Sequence, residues 1–505
     1  MEILTHLLNG FGLILNPTAL LIIVAGVMMG ILVGVLPGLS PAMGVALLVP
    51  FSYGMSPLNA LILLVALYSA ANYGGTITAI AINTPGTPSA IVSTFDGYPL
   101  TRQGKPGRAL GASVMASAVG GFLGALVLVF FSVPLAKVAL HFGPPEYFAL
   151  AIFGLTIISS LSSGNYVKAF IATLIGLLLN TIGMDPFTGY QRFTFGVAEL
   201  ADGFNFIPAL IGLFALSEIF LSIEREKPVK QALRKISGKM PKLKEMWQIK
   251  RAVLQSSILG TIIGVVPGAG ATIAAFISYN EAKRASKHPE EFGKGSLEGV
   301  VASGAATSGS VGGALVPLLT LGIPGSAATA VLIGALMMHG LTPGPELFKD
   351  KAPIVYGLFA SIFIAYIAML FLGVVGNQLW IKIISAPKAV LNPMILAIAF
   401  IGSYAVGNSM FDVWSCFGFG LLGWLLRRYD FPTAPVILGL ILGFLAETNF
   451  RRALLMGDGF IFFTRPVSLI MIILAVVSFF WPFIKAYRQK RKSEKKFAEQ
   501  LVKHR

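Results

Sequence analysis

Twice in this chain an apolar run long enough for a membrane helix is interrupted by Gly-Val-x-Pro-Gly. The first copy runs Gly30-Ile31-Leu32-Val33-Gly34-Val35-Leu36-Pro37-Gly38, and the second Gly260-Thr261-Ile262-Ile263-Gly264-Val265-Val266-Pro267-Gly268, an offset of 260 − 30 = 230 residues. Each copy is followed by Gly-Gly and then Pro-Gly: Gly74-Gly75 with Thr84-Pro85-Gly86, and Gly312-Gly313 with Ile323-Pro324-Gly325. Proline removes a backbone donor and glycine loosens a helix, so these are deliberate breaks. Matched interruptions in two halves of a membrane protein are the strongest sequence pointer to a transporter's binding site.

Composition supports a membrane setting. Charged residues make up 12% of the chain, and mean hydropathy is +0.79. Soluble domains carry about 25% charge. The formal net charge of +16 would suggest nucleic acid in a soluble protein. Here the excess sits in connectors. Ten basic residues lie between Arg225 and Arg251, beside the acids Glu224, Glu226 and Glu245, and nine more lie between Lys485 and Arg505. That is the positive-inside pattern, with some attraction to anionic lipid, and no nucleic acid partner is expected. The single cysteine, Cys416, excludes an intramolecular disulfide and reads as a small packing residue. Met1 to Asn16 lacks the basic start and cleavage site of a secretory signal and is expected to be retained as an interfacial segment.

The charges set an expected topology. Between the basic loops at 96–108 and 224–251 lie four apolar segments, about 109–133, 146–160, 165–183 and 206–222. Four crossings return the chain to the cytoplasm. The segment 252–280 starts and ends at basic loops, so it must dip in and return as a re-entrant hairpin around Pro267-Gly268-Ala269-Gly270. Irregular backbone at that depth is tolerated only when buried in protein or lining a wet cavity. Segments near 299–340, 353–380, 388–407, 410–427, 433–447 and 467–484 then leave the basic tail inside, provided 299–340 crosses a net odd number of times. Arg451 and Arg452 fall outside, a mild violation. The equivalent hairpin at 20–52 enters from the opposite face. The expected fold is therefore an all-α integral membrane protein with inverted repeats, re-entrant hairpins and broken helices. Its segments are 1–16 interfacial, 17–223 first repeat, 224–251 basic cytoplasmic linker, 252–447 second repeat, 448–484 terminal transmembrane region and 485–505 basic cytoplasmic tail.

Pro57–Phe95 and Gly299–Met338 contain no Asp, Glu, Lys or Arg, yet are rich in small polar groups. Hydroxyls, amides and freed carbonyls suit a hard cation, while amides at half-helix starts attract anions. Such a site binds a carboxylate without an arginine. An isolated Ser or Thr is more simply explained by close helix packing. At Asn83-Thr84-Pro85-Gly86-Thr87, an amide and two hydroxyls flank a break, which favours function. The candidate substrate or cation residues are Pro37, Gly38, Asn72, Thr76, Asn83, Thr84, Pro85, Gly86, Thr87, Gly268, Gly270, Thr307, Ser308, Pro324, Gly325 and Ser326, with Na⁺ assigned to Asn83, Thr84, Thr87 and Ser326. Glu218 reads as an interfacial carboxylate near Arg225 and Lys227; Asp412 and Glu447 also lie close to segment ends. No catalytic residues, Walker loop, nucleotide fingerprint or cofactor motif is present, and no His or Asp is placed to activate Ser308 as a hydrolase nucleophile. A channel or a membrane-embedded hydrolase is the alternative class.

The run Gly34-Val35-Leu36-Pro37-Gly38-Leu39, the run Tyr73 through Ala90, and Asp96-Gly97-Tyr98-Pro99-Leu100 through Gly104-Lys105 resemble the TctA family. Gly264–Gly268 and Gly322-Ile323-Pro324-Gly325-Ser326 match as well. The resemblance spans essentially the whole chain. It implies the large membrane subunit of a tripartite tricarboxylate transporter in a bacterial inner membrane. The implied partners are a small four-helix membrane subunit and a periplasmic solute-binding protein that delivers a carboxylate. The implied mechanism is elevator-like secondary uptake coupled to Na⁺ or H⁺, with no ATP engine.

Overall fold

The computed structural model describes residues 2–36, 38–161, 166–224, 240–376, 379–380 and 388–480. It is almost wholly helical, with eight helices long and apolar enough to cross a membrane among the described residues. In chain order the helices are α1 Glu2–Ile14, α2 Pro17–Val35, α3 Pro41–Leu48, α4 Pro57–Ile82, α5 Ile91–Arg102, α6 Pro106–Ala139, α7 Pro144–Leu161 and α8 Tyr166–Asn180. Then follow α9 Phe206–Ile211 and α10 Ser217–Glu224, joined by a π turn into one span, α11 Leu243–Gln248, α12 Lys250–Val265, α13 Gly270–Ala285, α14 Leu297–Leu321 and α15 Ala327–Met338. The last are α16 Pro345–Asp350, α17 Ala352–Val375, α18 Lys388–Gly407, α19 Met410–Arg428, α20 Ala434–Met456, α21 Ile461–Thr464 and α22 Pro466–Phe480.

The breaks fall where proline and glycine place them. α2 stops at Val35 and α3 starts at Pro41, with Ser40 accepting from the Met43 amide at 3.2 Å. A serine cap followed by proline at the first helical position is a favoured helix start. α12 stops at Val265 and α13 restarts at Gly270, so the stretch 252–280 is two helices around a break. The apolar stretch 299–340 likewise divides into α14 and α15.

The chain forms two compact units. One comprises Met1–His141 with Phe204–Tyr429, the other Phe142–Gly203 with Asp430–Arg505. Each unit draws on both halves of the sequence repeat. In the first unit α2 packs along α4 and α12 along α14, while α6 and α17 enclose them. α4 and α14 are buried along nearly their whole length. In the second unit α20 packs on α7 and α8.

Packing within the first unit repeats residue by residue. A Cβ at Gly30 would strike Leu67 O, and one at Gly260 would strike Ala306 O. Gly34 meets Ala71 O, and Gly264 meets Ser310 O. Gly74 meets Ile31 O and Gly34 Cα, and Gly313 meets Thr261 O and Gly264 Cα. Partners on the breaking helices are offset by 264 − 34 = 230 residues, and those on the central helices by 313 − 74 = 239. The Gly-x-x-x-Gly spacing therefore lets two helices approach backbone to backbone, as small residues do in membrane interfaces. The duplication legible in the motifs is also a duplication of contacts.

Asp96 on α5 joins the two halves of the sequence. Its carboxylate is buried and accepts from the backbone amides of Gly293 (2.8 Å), Gly295 (2.9 Å) and Ser296 (2.8 Å), and from Tyr279 Oη at 2.8 Å. The Asp96-Gly97-Tyr98-Pro99 motif thus fixes the loop that opens α14.

One element runs beyond the sequence expectation. α20 continues nine residues past 447, through Glu447, Arg451 and Arg452. It tolerates Glu447 and Arg451 because they are paired, Glu447 with Arg192 at 2.7 Å and with Arg451 at 2.9 Å, and Arg451 with Asp185 at 2.9 Å, while Arg452 is exposed. Glu218 pairs with Arg427, whereas Arg225 and Lys227 lie outside the described residues. Cys416 is fully buried, with its backbone against Gly212.

Candidate functional site

The two breaks of each half come together. In the second half Gly268 N donates to Gly325 O at 3.0 Å. In the first, Gly86 packs so tightly against Gly34 O and Gly75 Cα that no side chain fits, and Gly86 N donates to Gly75 O at 3.2 Å. Gly325 is similarly wedged on Ala314. Pro37 lies outside the described residues, while Gly38 is exposed beside Glu218, an acid neutralised by Arg427.

A string of hydrogen bonds links the break of one half to the break of the other. Tyr68 Oη and Ser326 Oγ are 3.0 Å apart. Ser326 caps α15, exchanging bonds with Thr329: its N–H donates to Thr329 Oγ1 at 2.8 Å, and its Oγ accepts from Thr329 N at 3.3 Å. One turn along α4 from Tyr68, Asn72 Nδ2 donates to Tyr68 O at 3.3 Å. Asn72 Oδ1 accepts from Ser89 Oγ at 3.3 Å, and Ser89 Oγ lies 3.2 Å from Thr87 Oγ1. Tyr68, Asn72, Thr87 and Ser89 are all buried. Beside them, Tyr366 Oη neighbours Ser69 and donates to Ser308 O at 3.1 Å. The string contains hydroxyls and one amide, with no carboxylate, imidazole or ammonium.

Three expected residues, Asn72, Thr87 and Ser326, belong to this string. Pro85, Gly86, Gly268, Pro324 and Gly325 shape the breaks beside it, and Gly270 opens α13. The others go elsewhere. Asn83 is exposed and left-handed (φ 56°), capping α4 as Gly322 (φ 71°) caps α14. Asparagine tolerates that conformation better than other residues with a side chain, so the backbone alone accounts for it. Thr84 Oγ1 donates to Ile82 O at 3.3 Å. Thr76 meets Ser113 of α6 at 2.9 Å, which is helix packing. Thr307 donates to Gly304 O at 3.0 Å, and buried Ser308 Oγ has no partner among the described residues.

Tyr68 and Ser89 were missed by sequence reasoning. Tyr68 and Asn72 are four apart and share a helix face, a signal present in the sequence. At the 239-residue offset, Tyr68, Asn72 and Ser89 correspond to Thr307, Val311 and Ala328. The duplicated scaffold therefore carries its polar string mainly on the first copy.

Residues 20–438 match the Tripartite tricarboxylate transporter TctA family. The chain belongs to the TctA family. It is accordingly of the type that forms the membrane subunit of a tripartite tricarboxylate-type transporter. It is similar to the Agrobacterium vitis "Uncharacterized 52.8 kDa protein in TAR-I ttuC' 3'region", with 38% identity over 502 residues, covering 99% of this chain and 100% of the relative. It is also similar to an "Uncharacterized protein in TAR-II ttuC' 3'region" of the same organism, with 36% identity over 234 residues, covering 46% of this chain and 97% of the relative. No solved structure matches.

Proposed function

We propose that this TctA protein takes up a carboxylate anion by secondary transport, receiving it from a periplasmic solute-binding protein and working with a small four-helix membrane subunit. The observation that carries the proposal is the uncharged string from buried Thr87 to half-buried Ser326, which ties together the breaks of both sequence halves. Oxygens of Thr87, Ser89, Asn72 and Ser326 suit Na⁺ coordination, and amides at the half-helix starts suit a carboxylate. A proton carrier is ordinarily a carboxylate or an imidazole, and the string has neither, so its chemistry favours Na⁺ as the coupling ion. With both partners in proteoliposomes, uptake should require an inward Na⁺ gradient and no ATP. Flux that persists with gradients collapsed indicates a channel; conversion of the solute without flux indicates a hydrolase.

The proposal extends to inverted repeats and an elevator-type mechanism in the inner membrane, with the C-terminus cytoplasmic. Bonded pairs support the orientation, because each joins segments assigned to one side. Arg108–Glu245 (2.8 Å), Gln103 to Lys294 O (2.8 Å) and Arg427–Glu218 fall on the cytoplasmic side. Asp185–Arg451 (2.9 Å) and Glu146–Arg465 (3.1 Å) fall on the periplasmic side. Arg451 outside is thus a neutralised charge rather than a violation of the positive-inside pattern. In a Cys416→Ala background, Lys287→Cys should react with an impermeant thiol reagent only from the cytoplasm, and Thr188→Cys only from the periplasm. Reaction of both from one side overturns the orientation.

A further inference from the structure

The segment between α8 and α9 is a small aromatic platform. Gly183–Met184 pairs antiparallel with Gln191–Arg192, Gly183 opposite Arg192. Asp185 bolts the turn: its Oδ1 accepts from the amides of Phe187 (2.9 Å) and Thr188 (3.3 Å), and Arg451 Nη1 grips both its oxygens at 2.9–3.0 Å. The Phe187 amide first, and then Arg451, hold the Asp185 carboxyl down to about 2. Arg192 is held by Glu447 at 2.7 Å. On this rigid base Phe193 (φ 52°) and Phe195 (φ 50°) take left-handed backbone conformations. A bulky residue there is a true outlier, and such strain concentrates at sites of use. Both rings face outward, Phe193 at 56% and Phe195 at 84% exposure, with Tyr190 at 73%.

We propose that this platform, residues 183–203, is the docking face for the soluble binding protein. This rests on the delivery and the orientation proposed above. Its charge selects the partner. The segment carries three acids, Asp185, Glu199 and Asp202, against one base, Arg192; Asp185 and Arg192 are already paired, which leaves Glu199 and Asp202 to set the charge of the face. Glu199 and Asp202 are exposed. Aromatic belts line both membrane interfaces, but an anionic headgroup surface attracts cations rather than acids. This face would be repelled by such a surface. It complements an apolar pocket ringed by lysine and arginine, with Phe195 and Phe193 as rigid aromatic anchors of the kind that dominate binding energy.

The test compares the full-length wild type with Phe193→Ala/Phe195→Ala and with Glu199→Lys/Asp202→Lys. The probe is the purified solute-binding protein, loaded with its own solute, that supports uptake by the wild type. The aromatic double variant should bind at least about 10-fold more weakly with unchanged thermal stability. The charge-reversal variant should bind more weakly and lose the salt dependence of association. Wild-type affinity in both variants overturns the docking face alone. The same holds if a photoreactive residue at position 195 labels phospholipid while affinity is unaltered. A wild-type chain that transports equally well without the binding protein overturns the delivery mechanism and the docking face together.

Discussion

Valine at Gly86 should remove most of the folded protein. A Cβ there meets Gly34 O, Gly75 Cα and Thr78 Oγ1 at once, two of them backbone atoms that cannot swing aside. Valine at Gly325 meets Ala314 Cα, Cβ and O in the same way. Overpacking a tight core typically costs about 1–3 kcal/mol, and collision with backbone belongs at or above the upper end. Both variants should lose detergent-stable monodisperse protein, while Asn83→Gly, which only exchanges one tolerant left-handed cap for another, should not. Normal yield and melting temperature for Gly86→Val would show that the two breaks of the first half do not meet as described.

Removing the Asp96 carboxylate should be nearly as damaging. Asp96→Ala strands three backbone amides and the Tyr279 hydroxyl, all of which point at the vacated site. An unmade buried hydrogen bond costs about 1–3 kcal/mol and bonds to a charged group about 1.5–3, so a loss of at least about 3 kcal/mol is expected. Asp96→Asn keeps an oxygen for the three amides and should recover much of the stability. A melting temperature for Asp96→Ala within a degree of wild type would contradict a role in fixing the 293–296 loop.

The breaks were legible because proline and glycine act locally, whatever surrounds them. The contact duplication was legible only as a motif offset, since nothing in one sequence states that Gly34 faces Ala71 while Gly264 faces Ser310. The end of α20 was not legible: Glu447 and Arg451 look like a membrane exit until Arg192 and Asp185, distant in sequence, neutralise them. The candidate site was legible in place more than in membership. Asn83 looked like a ligand because an amide beside a Pro-Gly break is suggestive, yet a left-handed cap needs the same residue type. Tyr68 was hidden in an apolar helix, and its bond to Ser326 exists only once α4 and the start of α15 meet.

The central claim is that the breaks of both halves share one polar site. Na⁺-driven uptake per folded molecule, measured for Asn72→Ala, Ser326→Ala and the double variant, tests it most directly. Each single change removes a side-chain oxygen proposed to hold the ion, a polar contact of about 1–3 kcal/mol. Each should therefore cut uptake per folded molecule about 5- to 150-fold while the protein still inserts. Because both residues belong to one string through Tyr68, the double variant should lose much less than the product of the two. Wild-type uptake in the single variants, or losses that simply multiply, would contradict a shared site.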